Sequence, residues 1–273
     1  MKKLTQITLT KALLTITIIC VLLFLTACNT VEPSYTETVK IEKGNTLLIA
    51  HRGLSKLEVE NTIPAFSLAA EHSYYGIETD IRKSKDGTFF AIHDADTSRI
   101  SKENIIISES TTEQIRQVEL LDMSGNVSAN YKIPTLTEFI QICKTKNKIA
   151  IVELKDLFSA GDIMTICDLI KDEEYLQSTI FISFRLENLL TLREQHPNQP
   201  AQYLISSYSN DLVEILVENN LDLAIHYKEI TKTRVNKLHD KSIKINVWTV
   251  DSPKDAKTFV NLGVDYITTN ILE

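Results

Sequence analysis

From Thr46 onward the chain repeats one pattern: a short apolar run, a polar turn, then a stretch with apolar residues at helical spacing. Short continuous apolar runs suit strands buried on both faces, as in a parallel sheet. The pattern predicts eight of them, at Leu47–Ala50, Ile77–Ile81, Ile149–Leu154, Thr179–Ser183, Gln202–Ile205, Leu223–Ile225, Ile245–Val250 and Tyr266–Thr268. Helical stretches lie between most of these, among them Ile63–Glu71, Asp162–Ile170, Leu186–Glu194, Asp211–Glu218, Lys232–Asp240 and Pro253–Asn261. Strands alternating with helices mean parallel β/α architecture. Eight units in this length predict an α/β fold, an eight-stranded β/α (TIM) barrel.

One segment breaks the alternation. Thr88–Ile92 follows the second strand too closely for the crossover of a dozen or more residues that parallel neighbours need. It reads as an antiparallel return strand turning at Asp86-Gly87, which sets His93 beside Asp80. Residues 94–134 then form a loop excursion after strand two, with a short helix near Thr112–Val118. Long loops at a barrel top shape substrate entrances.

The first residues do not belong to this pattern. Lys2 and Lys3 precede an apolar run from Ala12 to Leu25, and Leu25-Thr26-Ala27-Cys28 follows. That is the layout of a secretory signal with small residues before the cut. The tetrapeptide resembles a bacterial lipoprotein box, which implies cleavage before Cys28 and a lipid on its sulfur. An uncleaved N-terminal anchor is the other reading. The run is shorter than the ~20 residues of a bilayer-spanning helix, which favours the signal. Either way, the domain is expected at the cell membrane, on the extracytoplasmic side. The predicted organisation is a signal peptide over 1–27, an anchor Cys and polar tether over 28–45, and the barrel over 46–273.

Removing residues 1–27 takes away Lys2, Lys3 and Lys11 and no acid, so the formal charge moves from −7 to −10. A chain this acidic lacks the basic stripe that nucleic-acid binding needs. Cys143 and Cys167 sit among apolar neighbours in helical stretches and read as buried thiols, with a disulfide as the alternative. Nothing in the sequence fixes an oligomeric state.

In β/α barrels the working groups lie at the C-terminal ends of the strands. Here strand one ends in His51-Arg52-Gly53, strand two carries Glu78 and Asp80, the return strand ends in His93-Asp94, strand three ends with Glu153 and Lys155, and strand seven carries Trp248. Glu78 and Asp80, two apart on a strand, point to one face. Buried unpaired carboxylates are costly, so a positive charge must compensate. With Glu153 they make an oxygen set suited to one divalent cation, magnesium or calcium. A salt-bridge network with Arg82, Lys83 or Lys155 is the alternative. His51 and His93 suit proton transfer near neutral pH. Asp94 either orients a ring or serves the fold. Arg52 and Lys155 suit an anion such as a phosphodiester, or balance the carboxylates. Trp248 faces substrate or core. His72, His196 and His239 read as surface residues. His226 ends strand six, where it is a surface residue or lines the mouth.

These residues, taken in order, resemble the glycerophosphodiester phosphodiesterases. The resemblance rests on His51-Arg52-Gly53, Glu60-Asn61-Thr62, Ala65-Phe66, Gly76-Ile77-Glu78-Thr79-Asp80, Lys85-Asp86-Gly87, His93-Asp94, Ile133-Pro134-Thr135-Leu136, Glu153-Leu154-Lys155, Val247-Trp248-Thr249-Val250 and Gly263-Val264-Asp265. It implies a barrel holding a divalent cation on Glu78, Asp80 and Glu153, with His51 and His93 as acid and base and Arg52 and Lys155 on the phosphate. It implies hydrolysis of glycerophosphodiesters to glycerol 3-phosphate and an alcohol. A lysophospholipase D on the same barrel and a non-catalytic substrate-binding lipoprotein are the competing readings. Two positions depart from the family's pattern: Val59 stands where Pro is common, and Asn270 where the family often has Asp.

Overall fold

The structure, a computed structural model, describes residues 35–273, so the expected signal peptide and Cys28 lie outside the described residues. Its strands are β1 (Leu47–Ala50), β2 (Gly76–Lys83), β3 (Phe89–Ala91), β4 (Leu120–Leu121), β5 (Val127–Ser128), β6 (Ile149–Leu154), β7 (Thr179–Ser183), β8 (Ala201–Ile205), β9 (Asp222–His226), β10 (Ile245–Trp248) and β11 (Tyr266–Thr269). Eight of them pair in parallel in the order β1-β11-β10-β9-β8-β7-β6-β2, and β1 pairs with β2 to close the ring. These are the eight strands that the apolar runs predict.

The helices are α1 (Ile63–Glu71), α2 (Thr112–Gln117), α3 (Leu136–Thr145), α4 (Ala160–Asp172), α5 (Leu186–Gln195), α6 (Leu212–Glu218), α7 (Lys232–His239) and α8 (Pro253–Leu262). Their buried faces follow the helical repeat, with Leu136, Phe139, Ile140 and Cys143 on α3 and Ile163, Ile166, Cys167 and Ile170 on α4. Both cysteines are free and buried. Side-chain caps start most of these helices, including Thr62, Thr135 and Ser159. Inside the ring, Ile49, Ile151, Ile180, Ile182, Leu204, Ala224 and Tyr266 form one apolar plug. Gly76 is fixed by that crowding, because a Cβ there would lie 2.4 Å from Ile151 Cδ1.

β2 outruns the barrel, and its last three residues pair antiparallel with β3, Ile81 with Ala91, Arg82 with Phe90 and Lys83 with Phe89. The return strand is therefore present, one residue out of the expected register. Ser84 donates to the Thr88 carbonyl at 2.8 Å, so the loop holds Lys85-Asp86-Gly87 rather than two residues. Gly87 takes the left-handed position with φ +95°. Ile92 thus sits opposite Asp80, its N–H 2.9 Å from the Asp80 carbonyl, and His93 follows one residue later.

The excursion has a core of its own. Val59, Phe90, Ile92, Ile107, Ile115, Val118, Leu120 and Ile133 pack together, with Ile105 against them. Within it β4 and β5 form a small hairpin that alternation does not reveal. The polar stretch expected as a tether belongs to the barrel from Glu37 on. Val39 and Ile41 donate to the Ile271 and Glu273 carbonyls at 3.1 and 2.7 Å, respectively.

Candidate active site

β1 ends in a loop bent by two successive left-handed residues, Arg52 (φ 55°) and Gly53 (φ 79°). A Cβ on Gly53 would lie 2.6 Å from the Ala65 carbonyl carbon, so only glycine lets this loop touch α1. The bend turns the Arg52 N–H onto Glu78 Oε2 at 2.9 Å. The guanidinium meanwhile reaches Glu60 at 3.0 Å and Asp80 Oδ2 at 3.2 Å.

The three carboxylates expected to bind metal do converge. Glu78, Asp80 and Glu153 each offer an oxygen within 4.8 Å of the other two, and all three residues are buried. Burial, then the neighbouring Asp80 and Glu153 charges, push the Glu78 carboxyl well above its ordinary range. Burial and Asp80 raise Glu153 to about 7. Burial alone would raise Asp80 too, but Arg52 and Lys155 outweigh it and hold that carboxylate low. Lys155 Nζ lies 2.8 Å from Glu153 and 3.2 Å from Asp80. Arg82 and Lys83 are spent elsewhere, on Asp156 and Asp162. Glu78 Oε1 is buried without a hydrogen-bond partner. An orphaned oxygen beside two more carboxylates, with no sulfur or nitrogen ligand among them, fits a hard divalent cation.

His51 and His93 face the same space. His51 Nδ1 lies 2.8 Å from Asn270 Oδ1, and its Nε2 is 4.0 Å from Glu78. Burial, then the Arg52 charge, lower this imidazole to about 4, so its ring is neutral at pH 7. His93 Nδ1 is 2.7 Å from Asp94 Oδ1, so Asp94 orients a ring. Burial lowers His93 as well.

Two residues to which sequence reasoning assigned no role hold this network. Asn61, at φ 53°, donates to Asp80 Oδ2 at 2.9 Å and accepts from Thr79 at 2.8 Å. Arg99, on the excursion, joins Asp94 (2.6 Å) to both oxygens of Glu60 (2.8 and 2.9 Å). The only sequence signal for Arg99 was its closeness to His93-Asp94.

One cavity of about 210 Å³ is lined by His51, Arg52, Glu78, His93, Glu153, Lys155 and Trp248. Its other wall is apolar, with Ile182, Leu204, Ala224 and an exposed Phe184. Trp248 stands edge-on to Phe184 and to His226, so it forms part of that wall, and His226 backs it. His72 and His239 pair with Glu273 and Asp265, away from this cavity.

Known proteins share this arrangement's fold and sequence. The profile of the glycerophosphoryl diester phosphodiesterase family matches residues 51–273. A glycerophosphodiester phosphodiesterase of Caldanaerobacter subterraneus subsp. tengcongensis is 30% identical over 231 residues, covering 82% of this chain and 94% of that protein. A glycerophosphodiester phosphodiesterase structure from Parabacteroides distasonis superposes with a TM-score of 0.70 at 27% identity, over 84% of this chain and 94% of that one. A phosphodiesterase structure from Oleispira antarctica, in complex with the product sn-glycerol-3-phosphate, does so with a TM-score of 0.72 at 23% identity, over 82% and 92%. The strand-end residues, the barrel that gathers them and these matches agree: the chain belongs to the glycerophosphoryl diester phosphodiesterase family and is a phosphoric diester hydrolase.

Proposed function

We propose that the protein hydrolyses small, water-soluble glycerophosphodiesters to glycerol 3-phosphate and an alcohol, by histidine acid–base catalysis with one bound divalent cation. One observation carries this reading: His51, His93, Arg52 and Lys155 line a single cavity with Glu78 and Glu153, two of the three clustered carboxylates. Glu78, Asp80 and Glu153 would hold magnesium or calcium, which supplies Lewis-acid neutralisation of the phosphodiester. Arg52 and Lys155 bind the phosphate oxygens. His51, a neutral ring with Nδ1–H on an amide oxygen, takes the proton of the attacking hydroxyl at Nε2. That hydroxyl is water's, or it is the substrate's own glycerol hydroxyl, in which case the alcohol leaves as a cyclic phosphate forms and water then opens the ring to glycerol 3-phosphate. His93 enters the step as an imidazolium, with Nδ1–H on the Asp94 carboxylate, gives its Nε2 proton to the departing alkoxide as that oxygen's bond to phosphorus breaks, and is left neutral.

The product named in the Oleispira antarctica complex supports the substrate class. The cavity volume supports a small substrate, since pockets for drug-sized ligands run to ~300–1,000 Å³. The apolar wall of Ile182, Phe184 and Leu204 favours a second reading, a lysophospholipid substrate. Phosphate-product analysis on glycerophosphocholine, glycerophosphoglycerol and a lysophospholipid separates the two. We expect the first pair to have the higher kcat/KM, activity to vanish on chelation, and magnesium or calcium to restore it. Full turnover in rigorously metal-free protein would refute the cation, and a preference for the lysophospholipid would refute the substrate. We further propose that Cys28 carries a lipid that holds the domain at the outer face of the cell membrane. Mass spectrometry of the mature N-terminus should find an acylated Cys28, and an unmodified one would refute the anchor.

A further inference from the structure

The departure at the end of the last barrel strand has a partner. Asn270 Oδ1 is the acceptor 2.8 Å from His51 Nδ1, and Ser55 Oγ lies 2.7 Å from the same oxygen. The other end of the amide donates from Nδ2 to Asp251 Oδ2 at 2.7 Å. Asp251 Oδ1 is occupied separately, by the Asn270 backbone N–H at 2.8 Å and the Thr269 hydroxyl at 3.1 Å. A carboxylate only accepts hydrogen bonds, so Asp251 dictates which end of the Asn270 amide faces it. The amide oxygen is then turned to His51, which must present Nδ1–H. The lone pair is left on Nε2, the nitrogen that points toward Glu78.

We propose that Asp251 and Asn270 are a positioning pair that sets the tautomer of His51, the carboxylate acting on the ring only through the amide. The inference rests on His51 being a proton-transfer group. It goes beyond that role by assigning the state of the ring to a residue that does not touch it. The pair is also directional. An Asn at 251 keeps its Oδ1 on the Asn270 N–H and the Thr269 hydroxyl, so its Nδ2 faces the Asn270 side chain. Two NH₂ groups cannot pair. Asn270 turns over, offers its own NH₂ to His51, and makes Nδ1 the acceptor and Nε2–H the donor. Exchanging the two residues, so that Asn stands at 251 and Asp at 270, keeps every hydrogen bond and reverses only the direction of the one between them. His51 Nδ1–H then meets a carboxylate oxygen.

The experiment is ¹⁵N–¹H NMR of the His51 ring in the full mature domain, alongside kcat and KM, for wild type, Asp251→Asn and the exchange variant Asp251→Asn/Asn270→Asp. We expect Nδ1–H in wild type, Nε2–H in Asp251→Asn, and Nδ1–H again in the exchange. kcat should fall about 10-fold or more in Asp251→Asn, as loss of a correctly presented base requires, with KM within a factor of a few. The exchange should recover most of that loss. Thermal melts identify a variant that has merely unfolded, and the exchange, with all its bonds retained, serves where the single variant does not fold. Nδ1–H in a folded Asp251→Asn would overturn the proposal, as would an exchange variant with the Nε2–H ring. A reversed tautomer with unchanged kcat supports the positioning pair and refutes His51 as the base, so the two readings fail separately.

Discussion

At the scale of single residues, the site is a set of charges that only make sense together. Arg52 bonds Glu60, Glu60 bonds Arg99, Arg99 bonds Asp94 and Asp94 bonds His93, so one chain of contacts joins the loop after β1 to the second histidine. Its members are half-buried or exposed, where isolated ion pairs contribute little to stability; their effect is on where His93 and Arg52 point. His51→Ala and His93→Ala should therefore each lower kcat by ~10²–10⁴-fold, the usual contribution of a positioned acid or base. Neither should change the thermal midpoint by more than a few degrees. Rates near wild type in either variant, measured by glycerol 3-phosphate release, would mean that the acid–base pair lies elsewhere.

At the scale of elements, the loop after β1 is the most constrained connection near the site. Gly53 combines a left-handed φ of 79° with a 2.6 Å approach to the Ala65 backbone. Gly53→Ala violates both conditions at once, so the loop must lift from α1. We expect destabilisation of about 2 kcal/mol or more, in the range of substitutions at strained backbone positions. We also expect a drop in kcat/KM, because the Arg52 N–H leaves Glu78. A denaturant melt with unchanged midpoint would show that the loop has slack. The excursion is the opposite case: its apolar residues dock inward, Ile107 fully buried and Ile105 against the same cluster, and only Ile106 of that trio is turned to solvent. Its hairpin and its register on the barrel follow from that cluster.

At the scale of the whole molecule, Glu273 holds two distant segments, one at Thr38 and Lys40 and one at His72 and Ser73. Its carboxylate accepts from Thr38, from the Ser73 N–H and from Lys40, and it bonds His72. Burial would raise this carboxyl, but the partners outweigh it, Lys40 and Thr38 foremost, and hold it far below its ordinary 4.5. The sign follows from linkage: a carboxylate depressed in the folded state stabilises above its unfolded value and loses that contribution as pH falls toward the folded one. Glu273→Gln should lower stability at pH 7 by about 1–3 kcal/mol, the scale for hydrogen bonds to charged groups. Its difference from wild type should shrink progressively below pH 4.5. Melting curves from pH 3 to pH 7 check this, and a pH-independent difference would refute the linkage.

The sequence by itself determined the barrel, because eight apolar runs alternating with amphipathic stretches have few other ways to bury themselves. It also determined the residue types at the strand ends, since strand period and barrel topology fix where His51, Glu78, Asp80, His93, Glu153 and Lys155 must emerge. It left open whether Asp94 serves a ring and whether Trp248 faces core or cavity, because both depend on a rotation that periodicity does not specify. Tertiary structure alone decided the partners. Asn61 reaches Asp80 from 19 residues away, and Asn270 reaches His51 from 219. Hydrogen bonds act over about 3 Å in space, and separation along a chain carries no trace of that distance until the ring of strands has closed.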